Sequence, residues 1–202
     1  MSGISDKRRV GRPKTVDRQG SIELAMDAYW REGIHTLSLN EVCRQSKLAK
    51  PSLYREFGGE DGLMSAVLGH YRTLIISPML QALELPLSFG ELSEALIDGM
   101  TAESENPAGC LFTEMRLAHA RLGPITQGKL RDLGQERLGA LEDWYRRALE
   151  QRQVKSSISP ALAAQYLDTQ LAAILLQLGA GVPAEAVKAQ ARLALGALNA
   201  SP

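Results

Sequence analysis

The side chains best suited to chemistry fall into three groups. One is the run Lys50-Pro51-Ser52-Leu53-Tyr54-Arg55, in which two cations and two hydroxyls lie close together. Presented on a helix, such groups can donate to phosphate oxygens and reach base edges. A second is the basic stretch Lys7-Arg8-Arg9-Val10-Gly11-Arg12-Pro13-Lys14. An extended Gly-Arg-Pro segment, with Arg12 at its centre and Lys14 beside it, suits the narrow and strongly negative minor groove of A·T-rich duplex DNA. The third is the pair of cysteines, Cys43 and Cys110. Cys43 follows Val42 on an apolar face and reads as a packing residue. Cys110 follows Asn106-Pro107-Ala108-Gly109, where a helix is expected to start, and a helix N-terminus favours a thiolate. An oxidant or electrophile would attack such a thiolate, whereas a buried packing cysteine is the alternative.

Other chemistry finds no support. His35, His70 and His119 show no ligand spacing with either cysteine, so neither a metal site nor another cofactor is expected. The chain has no Ser-His-Asp arrangement, no phosphate-cradling glycine loop and no paired carboxylate in an apolar setting, which weighs against a small all-α enzyme. Two cysteines imply no disulfide framework, and a cytoplasmic location is expected. No apolar stretch of a secretory signal follows the basic N-terminal run. The longest apolar run, 171–182, is too short for a membrane helix, so no membrane partner is expected.

Charge is divided along the chain. The 202 residues carry 23 basic and 23 acidic side chains. Residues 1–59 nevertheless hold eleven basic against seven acidic, a net of +4 that the remainder cancels. Such asymmetry directs a polyanion to the N-terminal part.

Helices must position these groups. Ile22, Ala25, Met26 and Tyr29 recur at helical spacing, and Gly33 ends that helix. Ser38-Leu39-Asn40-Glu41 is a capping box, predicting a short helix to about Ser46 with reciprocal Ser and Glu bonds. Pro51 suits the first turn of another helix from Lys50 to Phe57, with Leu53 and Phe57 facing inward. Gly58-Gly59 breaks the chain before Glu60-Asp61 opens a longer helix. Breaks at Pro86, 106–109, 123–124, 156–160 and 179–183 leave five further helical stretches. One, about 124–153, carries Leu130, Gly134, Leu138, Leu141, Tyr145 and Ala148 on a stripe; the last two span about 160–179 and 183–199. No segment alternates like a strand, so the fold is expected to be all-α.

The stretch Gly33-x-x-x-Leu37-Ser38-Leu39-x-x-Val42-Cys43, followed by Leu48-Ala49-Lys50-Pro51-Ser52-Leu53-Tyr54-x-x-Phe57 and then Leu63, resembles the DNA-binding domain of TetR-type (tetracycline repressor family) regulators over about 16–70. The basic stretch reads as a DNA-binding arm at 1–15, with a solubilising tail as the alternative, and the resemblance implies a three-helix helix-turn-helix domain at 16–62 and a larger helical ligand-binding and dimerisation domain at 63–202. It also implies a homodimeric repressor that binds a double-stranded DNA operator and releases it to a small-molecule effector or, through Cys110, to a thiol-reactive compound. Tyr54 and Ser38 are then assigned to phosphates, Lys50 and Ser52 to phosphates or base edges, Pro51 to a thymine methyl or the backbone, and Arg55 to DNA or to solvent. Three positions depart from the family pattern: Lys47 replaces a turn glycine, Ala49 a capping Ser or Thr, and Glu60 a phosphate-contacting lysine.

The final two helices are expected to pair across a twofold axis through Leu167, Leu171, Ile174, Leu175 and Leu178 with Val187, Ala191 and Leu195; completion of a monomer core is the alternative. Effector contacts are sought among Met100, Cys110, Met115, His119, Trp144, Tyr145, Tyr166 and Gln170. An architectural DNA-binding protein without an effector is the remaining rival, and an internal pocket would discriminate against it.

Overall fold

A computed structural model describes residues 17–104, 106–155 and 157–199. Arg12 and Lys14 of the basic stretch lie outside the described residues. Asp17 starts α1 (Arg18–Glu32) by accepting from the Gly20 amide at 2.9 Å, and Gly33 ends it at φ 83°. Ser38 caps α2 (Leu39–Gln45), its hydroxyl accepting from the Glu41 amide at 3.2 Å. The reciprocal half of the expected box does not form. The Glu41 carboxylate turns instead to Arg44 and Gln45, one helical turn along, where a guanidinium outcompetes a single amide.

Lys47 makes the turn with φ 55°, the left-handed conformation that a glycine would take more easily. It leads into α3 (Lys50–Phe57), which has no side-chain cap at Ala49 but carries proline in its first turn. Next, α4 (Glu60–Tyr71) runs through a π-helical turn, Arg72–Ile76, into α5 (Ser77–Ala82). Pro78 accounts for that turn, because its ring has no N–H and crowds the carbonyl one turn earlier; widening the helix relieves both. A complete Ser88–Glu91 capping box opens α6 (Phe89–Thr101). The chain continues through α7 (Leu111–Leu117), a 3-10 turn at His119–Arg121, α8 (Pro124–Glu150), α9 (Pro160–Gly179) and α10 (Ala184–Gly196). An isolated antiparallel bridge joins Val154 to Asn199, and no strand is present among the described residues. The fold is all-α, as expected.

Two apolar cores share α8, whose 27 residues extend about 40 Å. The first buries Tyr29, Ile34, Val42, Leu53, Leu63 and Leu68 with Phe112, Met115, Leu130 and Leu133, joining the N-terminal helices to α7 and the start of α8. The second buries Phe89 and Ile97 with Leu141, Trp144, Tyr145 and the inward sides of α9 and α10.

That second core takes up most of the side chains expected at the twofold seam, as the alternative of a completed monomer core has it. Leu167, Leu171, Ile174, Val187, Ala191 and Leu195 are all buried in it, while Leu175 and Leu178 are half-buried. The most apolar stripe of each helix packs against α6 and α8, because the chain has a core of its own to fill. The outward stripes instead show Leu162, Leu176 and Leu193, which is 79% exposed.

Polar ties lock the α3–α4 corner to α8. Asp61 in α4 accepts from the Ile125 and Thr126 amides at 2.9 and 3.0 Å and from the Thr126 hydroxyl at 2.6 Å. An acidic residue expected at its own helix start thus also caps the positive end of α8. The Arg121 guanidinium donates to the His35 and Leu37 carbonyls at 2.7 and 2.6 Å, gripping the segment that leads into α2.

Candidate nucleic-acid interface and effector cavity

On α3, Leu53 is fully buried and Phe57 packs against the first core, so the opposite face is turned outward. Lys50 and Tyr54 stand one turn apart on that face, with Pro51 and Arg55 beside them, and all four are exposed. Tyr54 is 58% exposed, an unusual position for a ring that would otherwise pack. Ser52 is half-buried. Arg55 is already paired with Glu56 at 2.9 Å, and its approach to a phosphate requires that surface pair to open, at little cost. Ser38 uses its hydroxyl oxygen as a helix cap and keeps its own proton to donate. Cys43 is buried beneath this unit and burial pushes its thiol upward, so it is a packing residue.

A cavity of about 560 Å³ opens between α1, the α4–α5 bend, α6, the loop before α7, α8 and α9. Of the expected effector contacts, Met100 and Cys110 line it. Trp30, Tyr71 and Arg137 line it as well, and the sequence reading missed all three. Trp30 and Tyr71 form an edge-to-face pair with ring centroids 5.0 Å apart, joining α1 to α4 at the cavity wall. Cys110 is as buried as Cys43, at 5% exposed, which favours the packing alternative; what sets it apart is that it borders this cavity and a second one shared with Trp30 and Leu175. Burial raises the Tyr71 phenol and keeps it protonated, and its hydroxyl donates to the Cys110 sulfur at 3.4 Å.

The other expected contacts lie elsewhere. Met115 is fully enclosed in the first core. His119 and Trp144 border separate grooves, with Trp144 stacked on Phe89 at 4.5 Å. The Tyr145 hydroxyl donates to the Lys155 carbonyl at 2.7 Å and that of Tyr166 to the Ala194 carbonyl at 2.8 Å, so both tie chain segments together. Gln170 is half-buried and does not line the cavity. Among the described residues no group of three or more His, Cys, Asp or Glu could hold a metal, and no helix is long and apolar enough to cross a membrane.

The described residues thus set a small helix-turn-helix on a larger helical body, with a cavity bordered by helices of both. Residues 22–67 match the family model described as bacterial regulatory proteins, tetR family. The match falls on the helix-turn-helix part of the chain. It is similar to the HTH-type transcriptional repressor ComR of Escherichia coli (strain K12), with 37% identity over 65 residues, 32% of this chain and 31% of ComR. The HTH-type transcriptional repressor BdcR of the same strain is 32% identical over 110 residues, 53% of this chain and 56% of BdcR. The chain therefore matches about a third to a half of the length of these curated relatives. A cysteine-substituted form of the TetR family regulator CifR, complexed with 26-bp operator DNA, superposes with a TM-score of 0.77 at 26% identity, covering 93% of this chain and 100% of that one.

Proposed function

We propose that this chain is a homodimeric, ligand-responsive transcriptional repressor of the cytoplasm. It binds operator DNA through α2 and α3 and releases it when the cavity is occupied or Cys110 is modified. The observation that carries the reading is the outward face of α3, where Lys50, Pro51, Tyr54 and Arg55 stand over a buried Leu53. A helix so anchored fits a major groove about 12 Å wide. The operator-bound CifR complex supports the same use of the fold. Leu162, Leu176 and Leu193 form the dimer surface in this reading. Two copies then set their α3 helices about 34–36 Å apart, one turn of duplex.

The effector acts through Trp30 and Tyr71. Both line the cavity, and they sit on α1 and α4, which pack on the helix-turn-helix. A ligand that fits the cavity only when this pair has shifted selects a conformation whose α3 spacing no longer matches the operator. A carbon or oxygen group added to the Cys110 sulfur, in the same wall, has the same consequence. An architectural protein without an effector would not need such a cavity.

Selection from sheared genomic duplexes by the purified full chain, followed by sequencing, tests the reading. A near-palindromic site should be enriched. Recovery no different from the input pool would remove the proposal.

A further inference from the structure

Arg137 has no place in a plain apolar cavity. It stands on the buried side of α8, in register with Leu130, Leu133, Leu141 and Trp144, and is only 3% exposed. One nitrogen, Nη2, meets Asp168 at 3.0 Å, and the guanidinium lies 4.7 Å from the centre of the Phe112 ring. Its Nε and Nη1 have no acceptor among the described residues, although the side chain lines the cavity. Asp168 does not cancel the charge, because it is shared with Arg116 at 2.9 Å. Two guanidiniums and one carboxylate leave an excess of one positive charge.

A buried, undercompensated cation with idle donors is costly to maintain. The cavity around it supplies no acid: among its described lining residues none is Asp or Glu. It supplies apolar surface instead, from Ile75, Met79, Leu96, Met100, Leu171 and Leu178. A second idle donor, the Trp30 Nε1, belongs to the same wall. The complement of this cavity is one negative charge carrying acceptor oxygens on an apolar body.

We infer that the cavity takes an apolar organic acid whose carboxylate pairs with Arg137. This rests on the cavity being the effector site and adds the chemical class of the ligand. A monoanion matches the single excess charge, and the acceptor oxygens satisfy donors that otherwise stay empty. A phosphate dianion would overshoot the charge and leave the apolar walls unfilled. The neutral amide of the same acid would fill those walls but leave the cation unpaired.

Displacement of the fluorescent neutral probe N-phenyl-1-naphthylamine from the purified full chain separates these cases. Octanoate should displace it from wild type at a concentration at least about tenfold lower than octanamide, the scale of one hydrogen bond to a charged group. In Arg137→Met the probe should still bind, and acid and amide should displace it alike. Should Arg137→Met fail to melt cooperatively, Arg137→Gln takes its place, with the same loss of preference expected. No probe binding to wild type, equal displacement by acid and amide, or an acid preference that survives substitution of Arg137 would each overturn the inference. No DNA enters the assay. A chain that binds no operator would leave this result standing, and an operator-binding chain indifferent to acids would fail here alone.

Discussion

Lys50 and Tyr54 contribute nothing to the cores that hold α3 in place, since both side chains point away from Leu53. Replacing either with alanine should therefore cost operator affinity about 1–3 kcal/mol while leaving the thermal melt unchanged. Fluorescence anisotropy beside a circular dichroism melt checks both parts. Cys110 is argued from position: its thiol borders two cavities and is held by the Tyr71 hydroxyl. An alkylating quinone should release the operator from wild type and not from Cys110→Ser, with Cys43→Ser behaving as wild type in the same gel-shift series. Equal release from wild type and Cys110→Ser would assign the effect elsewhere. At this scale the sequence was legible where one residue type has one use. Leu53 facing inward follows from local rules, whereas Lys47 at a left-handed turn and Ala49 without a cap were legible only through the family pattern they depart from. Arg137 was not legible. A stripe drawn through Leu138 is one position away from the buried one, and a charge inside an apolar stripe is passed over when the phase is set by leucines.

Helix ends and helix contacts decide how α3 is held. Asp61 faces the start of α8, and although burial works against its ionised form, the bonds from Thr126 and Ile125 hold its carboxyl below the usual carboxylate range. A carboxyl lowered by folding adds stability that is present above its unfolded value, about pH 4, and is lost as pH falls through the folded value. Asp61→Asn should thus lower the stability at pH 7 by about 1 kcal/mol, the scale of a lost helix-end acceptor. The gap from wild type should close as a series of melts is taken into acid. A gap that does not narrow as the pH falls from about 4 into strong acid would contradict the assigned role. Gly62 sits in the same corner. A Cβ there would stand 1.6 Å from the Phe57 carbonyl oxygen, so α3 and α4 approach as closely as they do only because this residue has none. Gly62→Ala should destabilise by about 1–3 kcal/mol, and unlike Asp61→Asn it should also weaken operator binding at neutral pH, because it moves α3 itself. Helix existence and most boundaries could be read from caps, glycines and prolines. The competition between Arg44 and the Ser38 amide for Glu41 could not, since both partners lie within reach on paper.

The described residues form one continuous helical body. The first core crosses from α1–α4 into α7 and α8, and α8 carries it on to the second. Periodicity identified the apolar faces of α9 and α10 and could not say whether another helix of the same chain or a second copy would cover them. Contacts distant in sequence decide that, and they give the inner stripe to the monomer. The outer stripe, with Leu162, Leu176 and Leu193 exposed, is the surface proposed for the partner. Leu193→Glu should convert a dimer to a monomer in sedimentation velocity, with the melt of the monomer core retained; a wild type that sediments as a monomer at micromolar concentration would contradict this. The most direct test of the regulator reading is a titration of the selected duplex, and of a scrambled one, with wild type and the Lys50→Ala/Tyr54→Ala pair. Wild type should prefer the selected site by roughly 10³-fold or more at physiological salt, and the double variant should lose most of that preference. Equal preference in wild type and double variant would mean that α3 does not read the DNA.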